Sequence, residues 1–340
     1  MDLVYADISI YNWHRLFGSS KEIITHGPYN DWLSDHWCLP RHNYLGMLLW
    51  RKIFYQQVTN YLSQHSTPDL VHAHTYLGGW VAAKIKENYG IPYVITEHST
   101  AVLNNSLNPL HKSILETSYS SADKVLAVSE SLAKNIKQDY PQVELLHNFI
   151  DIDLFKPIKK PLTKGFNIVC VGDLIERKQV NLLIEACHHL EINHQLTIVG
   201  DGPKKKELNI LSRSLDVNII FTGRLTQQEL AQCLTQQDLL VHPSKSETFG
   251  LVLIEAMSCG LPVISFDNGG AADIITEQTG LLLKSQNAKT LASSIEQIYN
   301  YRSQYNSLTI RDHVIEHFSV SAVAASLQYV YQKVFNKSHQ

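Results

Sequence analysis

The chain has 340 residues, 44% of them hydrophobic and 18% charged, a composition that folds and has room for two domains at ~100–200 residues each. Lysine and arginine number 29 against 32 aspartates and glutamates, so the basic excess with which nucleic-acid binders neutralise phosphates is absent. Five scattered cysteines (Cys38, Cys170, Cys187, Cys233 and Cys259) show no Cys-x-x-Cys spacing, no apolar run approaches the ~20 residues that span a bilayer, and no signal pattern opens the chain. Together these point away from a disulfide framework and toward a reducing cytoplasm.

In chain order, the first 67 residues are rich in aromatics, and all five tryptophans (Trp13, Trp32, Trp37, Trp50 and Trp80) fall before residue 81. They are read as core or domain packing, with a greasy surface for a lipid-linked substrate as the alternative. From Pro68, short apolar runs alternate with amphipathic stretches. The expected strands are Asp69–His74, Tyr93–His98, Lys124–Ser129, Val143–Asn148, Phe166–Gly172, Gln195–Gly200, Val217–Gly223, Leu239–Ser244, Pro262–Phe266 and Gly280–Lys284. Helices are expected at Gln179–Leu190, Pro203–Leu215 and Ala288–Tyr299. Such alternation predicts an α/β protein with parallel sheets covered by helices. Pro157, Pro161 and Lys159–Lys160 punctuate an aperiodic hinge over 153–165, between a domain at 1–152 and one at 166–318. His72 and His74 are expected on opposite faces of one strand, as packing residues and not a metal pair. The final stretch, Ser319–Phe335, carries Val320, Val323, Ala324, Leu327, Val330, Tyr331 and Val334 at helical spacing, which gives one apolar face.

Strands of an open α/β sheet deliver ligands to their carboxyl ends. The strand ending at Ser244 leads into Lys245-Ser-Glu247-Thr248-Phe249-Gly250-Leu251-Val-Leu-Ile-Glu255-Ala. Two carboxylates eight residues apart, a glycine that admits close backbone approach and a helix N-terminus with unpaired N–H groups suit an anion flanked by hydroxyls, as in a sugar nucleotide. Taken alone, two glutamates at this spacing describe a solvated helix face equally well.

The surrounding residues carry more. Glu247-x-Phe249-Gly250 runs through Glu255-Ala-Met257, followed by Gly260-x-Pro262-Val263, Gly269-Gly270 and Gly280-Leu-Leu. Asn148-Phe-Ile-Asp151, Phe155-x-Pro157, Gly200-Asp-Gly-Pro203, Asp69-Leu-Val-His72-Ala-His74 and Thr96-Glu97-His98 extend the pattern. From about Pro68 to the C-terminus the chain resembles the family 4 retaining glycosyltransferases. The resemblance implies a GT-B fold of two doubly wound Rossmann-like domains facing a cleft, the last helix (319–340) returning to the first domain.

By the same resemblance, Glu255 holds the ribose hydroxyls of a nucleoside diphosphate sugar. Glu247 faces the transferred sugar, with the backbone of Thr248, Phe249, Gly250 and Leu251 around it. Gly172 and Lys178 match the family's diphosphate grip, whereas the family's arginine position holds Asp173; Arg177 beside Lys178 is the candidate to restore that charge. Arg224 falls in a loop near the base, and His98 beside the donor sugar as a supporting catalytic group. The family uses no metal or other cofactor, and Asp151-Ile-Asp153 is read here as a turn. The acceptor implied is a saccharide or lipid-linked saccharide at the inner face of a bacterial membrane, with peripheral membrane contact. Family members open with a strand and a glycine-rich loop, and no glycine pair precedes Gly78-Gly79 here. The first domain is therefore expected to be shortened or divergent, with poor transfer. Two other functions stay open at this point: a sugar-nucleotide epimerase, and a donor-binding protein with little turnover.

Overall fold

A computed structural model describes residues 2–7, 21–26, 29–35, 44–158 and 165–338, the first three stretches as backbone alone. Strands β1 (Asp2–Asp7), β2 (Lys21–His26) and β3 (Tyr29–Asp35) form a sheet of order β1-β3-β2, in which β3 is parallel to β1 and antiparallel to β2. The rest of the Met1–Tyr11 segment, Trp13, Trp37, Cys38 and hinge residues 159–164 lie outside the described residues. Helix α1 (Tyr44–Gln64) buries Met47 and Trp50 and leaves Tyr44 and Leu45 exposed, so the apolar run over Leu45–Trp50 winds around the helix and is only partly covered. Arg51 sets its guanidinium 4.6 Å from the ring centre of Trp80.

Strand and helix then alternate: β4 (Val71–His74), α2 (Thr75–Tyr89), β5 (Tyr93–Glu97), the short α3 (Thr100–Leu103), α4 (Pro109–Ser120), β6 (Lys124–Ala127), α5 (Glu130–Lys137) and β7 (Glu144–Leu145). The strands order as β4-β5-β6-β7, and β5 is buried along its whole length, Thr96 and Glu97 included. The rings of His72 and His74 stack 4.8 Å apart. They therefore share a face, which corrects the expectation of opposite faces: side chains alternate along a strand with period two, so positions i and i+2 coincide. Their hydrogen-bonding role stands, since His72 joins Thr96 Oγ1 at 2.7 Å and the Tyr331 hydroxyl at 2.5 Å.

The larger sheet comprises β8 (Phe166–Val171), β9 (His194–Val199), β10 (Ile219–Gly223), β11 (Leu239–His242), β12 (Val263–Phe266) and β13 (Gly280–Leu283). Its order is β10-β9-β8-β11-β12-β13, parallel throughout. Helices α6 (Val180–His188), α7 (Lys205–Ser214), α8 (Gln227–Leu234), α9 (Leu251–Ser258) and α10 (Ala288–Asn300) connect and cover it. Ile168, Leu183, Leu196, Ile198, Val241, Ile264, Leu291 and Ile295, all fully buried, fill the space between sheet and helices. Thr226 and Glu229 form a capping box that starts α8 by satisfying two N-terminal N–H groups reciprocally. Successive strands are added on one side of β8 as far as β10 and then, from β11, on the other side, which places the topological switch point between β8 and β11.

Contact density divides the molecule into two compact units. One holds the described residues up to Glu97, with Leu107–Leu126 and the chain from Val330; the other holds His98–Ser106 and the described residues from Ala127 to Tyr329. Helix α11 (Ser307–Phe318) belongs to the second, and α12 (Val320–Ser338) begins there and ends in the first. Only a narrow stripe of α12 is covered: Val323, Val330 and Val334 are buried, while Val320 and Ala324 are exposed. At 100° per residue the latter two stand roughly 60° and 100° away from Val323, outside the seam. No helix among the described residues is long and apolar enough to cross a membrane.

Asp151 makes the expected turn, its carboxylate accepting from the backbone N–H groups of Asp153 and Leu154. Arg311 of α11 anchors the segment that follows. Its guanidinium donates to the carbonyls of Ile152, Phe155 and Ser258 at 2.7–2.8 Å, tying this segment to α9. An unsatisfied buried carbonyl costs ~1–3 kcal/mol. Arg311→Met should therefore lower the stability of the second unit by about 3 kcal/mol in urea unfolding, and Arg311→Lys, lacking the planar fork, should recover only part. An unchanged midpoint for Arg311→Met would refute this anchoring role.

Candidate active site

Three loops meet at the carboxyl ends of β8, β11 and β12. The β8 loop leaves the sheet at Gly172, whose φ is +152°, and passes through a 3-10 turn at Glu176–Lys178 into α6. The neighbouring β9 loop approaches it so closely that a Cβ at Gly200 (φ +134°) would lie 2.0 Å from the Gly172 carbonyl oxygen. A glycine is obligatory there. The β11 loop is tied to the β8 loop by Lys245 N–H donating to the Arg177 carbonyl at 2.8 Å.

Glu247 is fixed from both sides of its backbone. Its N–H donates to Asn268 O at 3.1 Å and its carbonyl accepts from Gly270 N–H at 2.9 Å, an isolated bridge to the β12 loop. Asn268 also donates its amide to Ser244 O at 3.0 Å. The side chain of Glu247 is turned to the β8 loop, where Lys178 Nζ donates to Oε2 at 2.5 Å and Arg177 approaches the same oxygen at 3.4 Å. Arg177 also donates to the Ser246 carbonyl. Lys178 is only 15% exposed and Glu247 14%, so this pair is screened little by solvent.

The two glutamates differ in electrostatics. Burial works against ionising Glu247, but the His242 hydrogen bond and the Lys178 charge more than offset it and hold the carboxyl far below the usual range. Burial alone pushes Glu255 up to about 7. Glu255 sits on α9, and Glu247 stands in the loop ahead of it. Gly250, at φ +107°, is the residue that starts α9.

Of the expected donor residues, Gly172, Arg177, Lys178 and Glu247 are brought together. Thr248 and Phe249 are buried beside them in sequence, at 8% and 2% exposure, and Leu251 is exposed at the first turn of α9. A Cβ on Gly270 would meet the Phe249 backbone, which fixes how near the β12 loop runs. Arg224 donates its guanidinium to Asp173 at 2.9 Å, both side chains being more than half exposed. Opposite charge on adjacent loops draws it there, and the aspartate in the arginine position is thereby neutralised. His98 stands half-buried at the end of β5, directly ahead of α3. Two residues were missed by sequence reasoning, His242 and Asn268. A histidine ending the apolar run Leu-Leu-Val-His, just before the loop that holds Glu247, is the available signal for the first.

The opposed shifts of the two glutamates predict opposite pH effects. A carboxyl raised in the folded state contributes stability below ~4.5 that is lost as the pH rises through about 7. Glu255→Gln should thus raise the thermal midpoint at pH 8, the gain shrinking as the pH falls from 7 toward 5. Glu247 is depressed, so its contribution is present above ~4.5 and lost on acidification; Glu247→Gln should lower the midpoint throughout pH 5–8. Scanning fluorimetry across that range tests both, and a Glu255→Gln difference independent of pH would refute the first.

Two family descriptions match in tandem: "Glycosyltransferase Family 4" over residues 23–154 and "Glycosyl transferases group 1" over residues 151–311. A D-inositol 3-phosphate glycosyltransferase of Pseudarthrobacter chlorophenolicus is 27% identical over 69% of this chain and 63% of its own length. A Bacillus subtilis glycosyltransferase named for teichuronic acid biosynthesis is 31% identical over 67% of this chain and 60% of its own length. The chain thus spans less than two-thirds of the length of these curated relatives. In fold, it is similar to sucrose-phosphate synthase from Thermosynechococcus elongatus, with a TM-score of 0.84 at 22% identity, covering 99% of this chain and 89% of that one. With parallel sheets of four and six strands and both halves matched, the chain belongs to the family 4 glycosyltransferases and has the GT-B fold.

Proposed function

We propose that this chain transfers a sugar from a nucleoside diphosphate sugar to an acceptor hydroxyl with retention of configuration and without a metal. The observation that carries the reading is the meeting of Lys178 and Glu247 at the switch point of a doubly wound sheet, with Glu255 on the helix that follows. Lys178 and Arg177 take the diphosphate, whose charge grows as the glycosidic bond breaks; preset cations stabilise that charge without reorganisation. The backbone N–H groups of Phe249 and Gly250, at the start of α9, add to this grip. Glu247 accepts from hydroxyls of the transferred sugar and Glu255 from those of the ribose. His98 supports the donor sugar, and the domains we assign are an acceptor-side one at residues 1–152 and a donor domain at 166–318. With no protein nucleophile in this scheme, the acceptor hydroxyl attacks from the face the diphosphate leaves, and its proton passes to the departing phosphate oxygen.

The acceptor we propose is an intermediate of a bacterial surface polysaccharide or a glycolipid, met at the cytoplasmic face of the membrane. The name of the Bacillus subtilis relative supports this class.

Calorimetry with UDP-, GDP- and ADP-linked hexoses and the matching free diphosphates tests the donor reading. Hydrogen bonds to charged groups are worth ~1.5–3 kcal/mol, so Glu255→Ala should weaken both ligands by roughly tenfold or more. Glu247→Ala should weaken the nucleotide sugar by a similar factor and the free nucleotide less, through the Lys178 it releases. Wild-type affinity for both ligands in both variants would sink the assignment, and an inverted product anomer by NMR would sink retention.

A further inference from the structure

The geometry points to His242 as a positioning residue that holds the Glu247 carboxylate in the direction needed to receive the donor sugar, an inference that rests on the transferase reading for its consequence. His242 ends β11, pairs in register with Ser265 of β12, and accepts a hydrogen bond from the Ser265 hydroxyl on its carbonyl at 3.1 Å. Its ring is 2% exposed, and its Nε2 lies 3.2 Å from Glu247 Oε2. An ionised carboxylate only accepts, so Nε2 carries the proton and the tautomer is fixed. Burial holds the ring below its usual pKa, which keeps it neutral beside the two cations.

Lys178, Arg177 and His242 all address the same oxygen, Oε2. Among the described residues none hydrogen-bonds Oε1, which is the acceptor left for a ligand. Lysine alone would define this poorly, because its ammonium is a point charge on a flexible stem. The imidazole is rigid, anchored in the sheet and approaches from the strand side, so it fixes the plane in which the carboxylate lies. Binding of the sugar then requires no reorientation of Glu247, whereas binding of the nucleotide alone does not draw on it.

The test pairs two variants with two readouts. His242→Phe keeps the ring volume and removes the donor; His242→Gln supplies an amide N–H near the place of Nε2. Titrated with whichever UDP-, GDP- or ADP-linked hexose the wild type binds, His242→Phe should show about tenfold weaker binding, with a lower kcat, while the affinity for the free nucleoside diphosphate stays within about twofold. His242→Gln should restore most of the loss. Equal losses for both ligands, no loss, or a glutamine variant as impaired as the phenylalanine one would overturn the proposal. Nitrogen-15 spectra read the contact without any donor: the wild type should show His242 neutral and protonated at Nε2 at pH 8, with that preference lost in Glu247→Ala. A wild type with this signature that binds no nucleotide sugar would sink the transferase reading and leave the contact standing. An Nδ1-protonated His242 in a protein that does bind donor would overturn the positioning role and leave the transferase reading intact.

Discussion

One carboxylate oxygen organises the site. Glu247 Oε2 accepts hydrogen bonds from Lys178 of the β8 loop and from His242 at the end of β11, while the Glu247 backbone is bridged to the β12 loop. Those loops converge because the sheet runs in two directions from β8, which leaves a crevice between β8 and β11 that no crossover covers. The ion pair is useful only if its members are dry and immobile, and the backbone bonds to Asn268 and Gly270 supply that rigidity. A buried carboxylate without its partners would take up a proton, as the raised pKa of Glu255 illustrates a few residues away.

Rigidity of the surrounding loops comes from close backbone approach more than from side-chain packing. Gly200 abuts the Gly172 carbonyl, and a Cβ on Gly202 would meet the Leu174 backbone. The β8 and β9 loops are consequently held against each other with Leu174 N–H bonded to Asp201 O at 3.0 Å and Lys204 N–H to Leu174 O at 3.0 Å. Behind them the apolar core of the sheet gives the loops a fixed base.

Much of this was legible in the sequence. Every strand expected after Pro68 forms, because β-branched apolar runs bounded by glycine and proline fit buried parallel strands and little else. The ordered motifs around Glu247 and Glu255 identified the family, whereas the Lys178–Glu247 contact depends on loops that approach only in three dimensions. His242 was passed over for a related reason: within an apolar strand a histidine reads as packing, and its contact with Glu247 appears only in three dimensions. On α12, periodicity marked a broad apolar face, but coverage follows the shape of what lies against it, so Val320 and Ala324 stay exposed. The pairing of Asp173 with Arg224 joins positions fifty-one residues apart, beyond any spacing rule.

That pairing has a kinetic side. Around the loops at the carboxyl ends of β8, β9 and β10, the exposed charges are matched locally: Asp173 with Arg224, Glu176 with Lys204, and Asp201 with Lys205. Closed pairs of this kind behave as dipoles, whose field dies away faster with distance than that of a lone cation and is screened further within a Debye length of about 8 Å. An anion in solution therefore feels little pull from this rim and is not steered from afar. On the transferase reading proposed above, capture begins when the donor's phosphates reach Lys178 and Arg177, so association should proceed at an ordinary, salt-tolerant rate, and a spent diphosphate can depart without climbing out of a long-range electrostatic well.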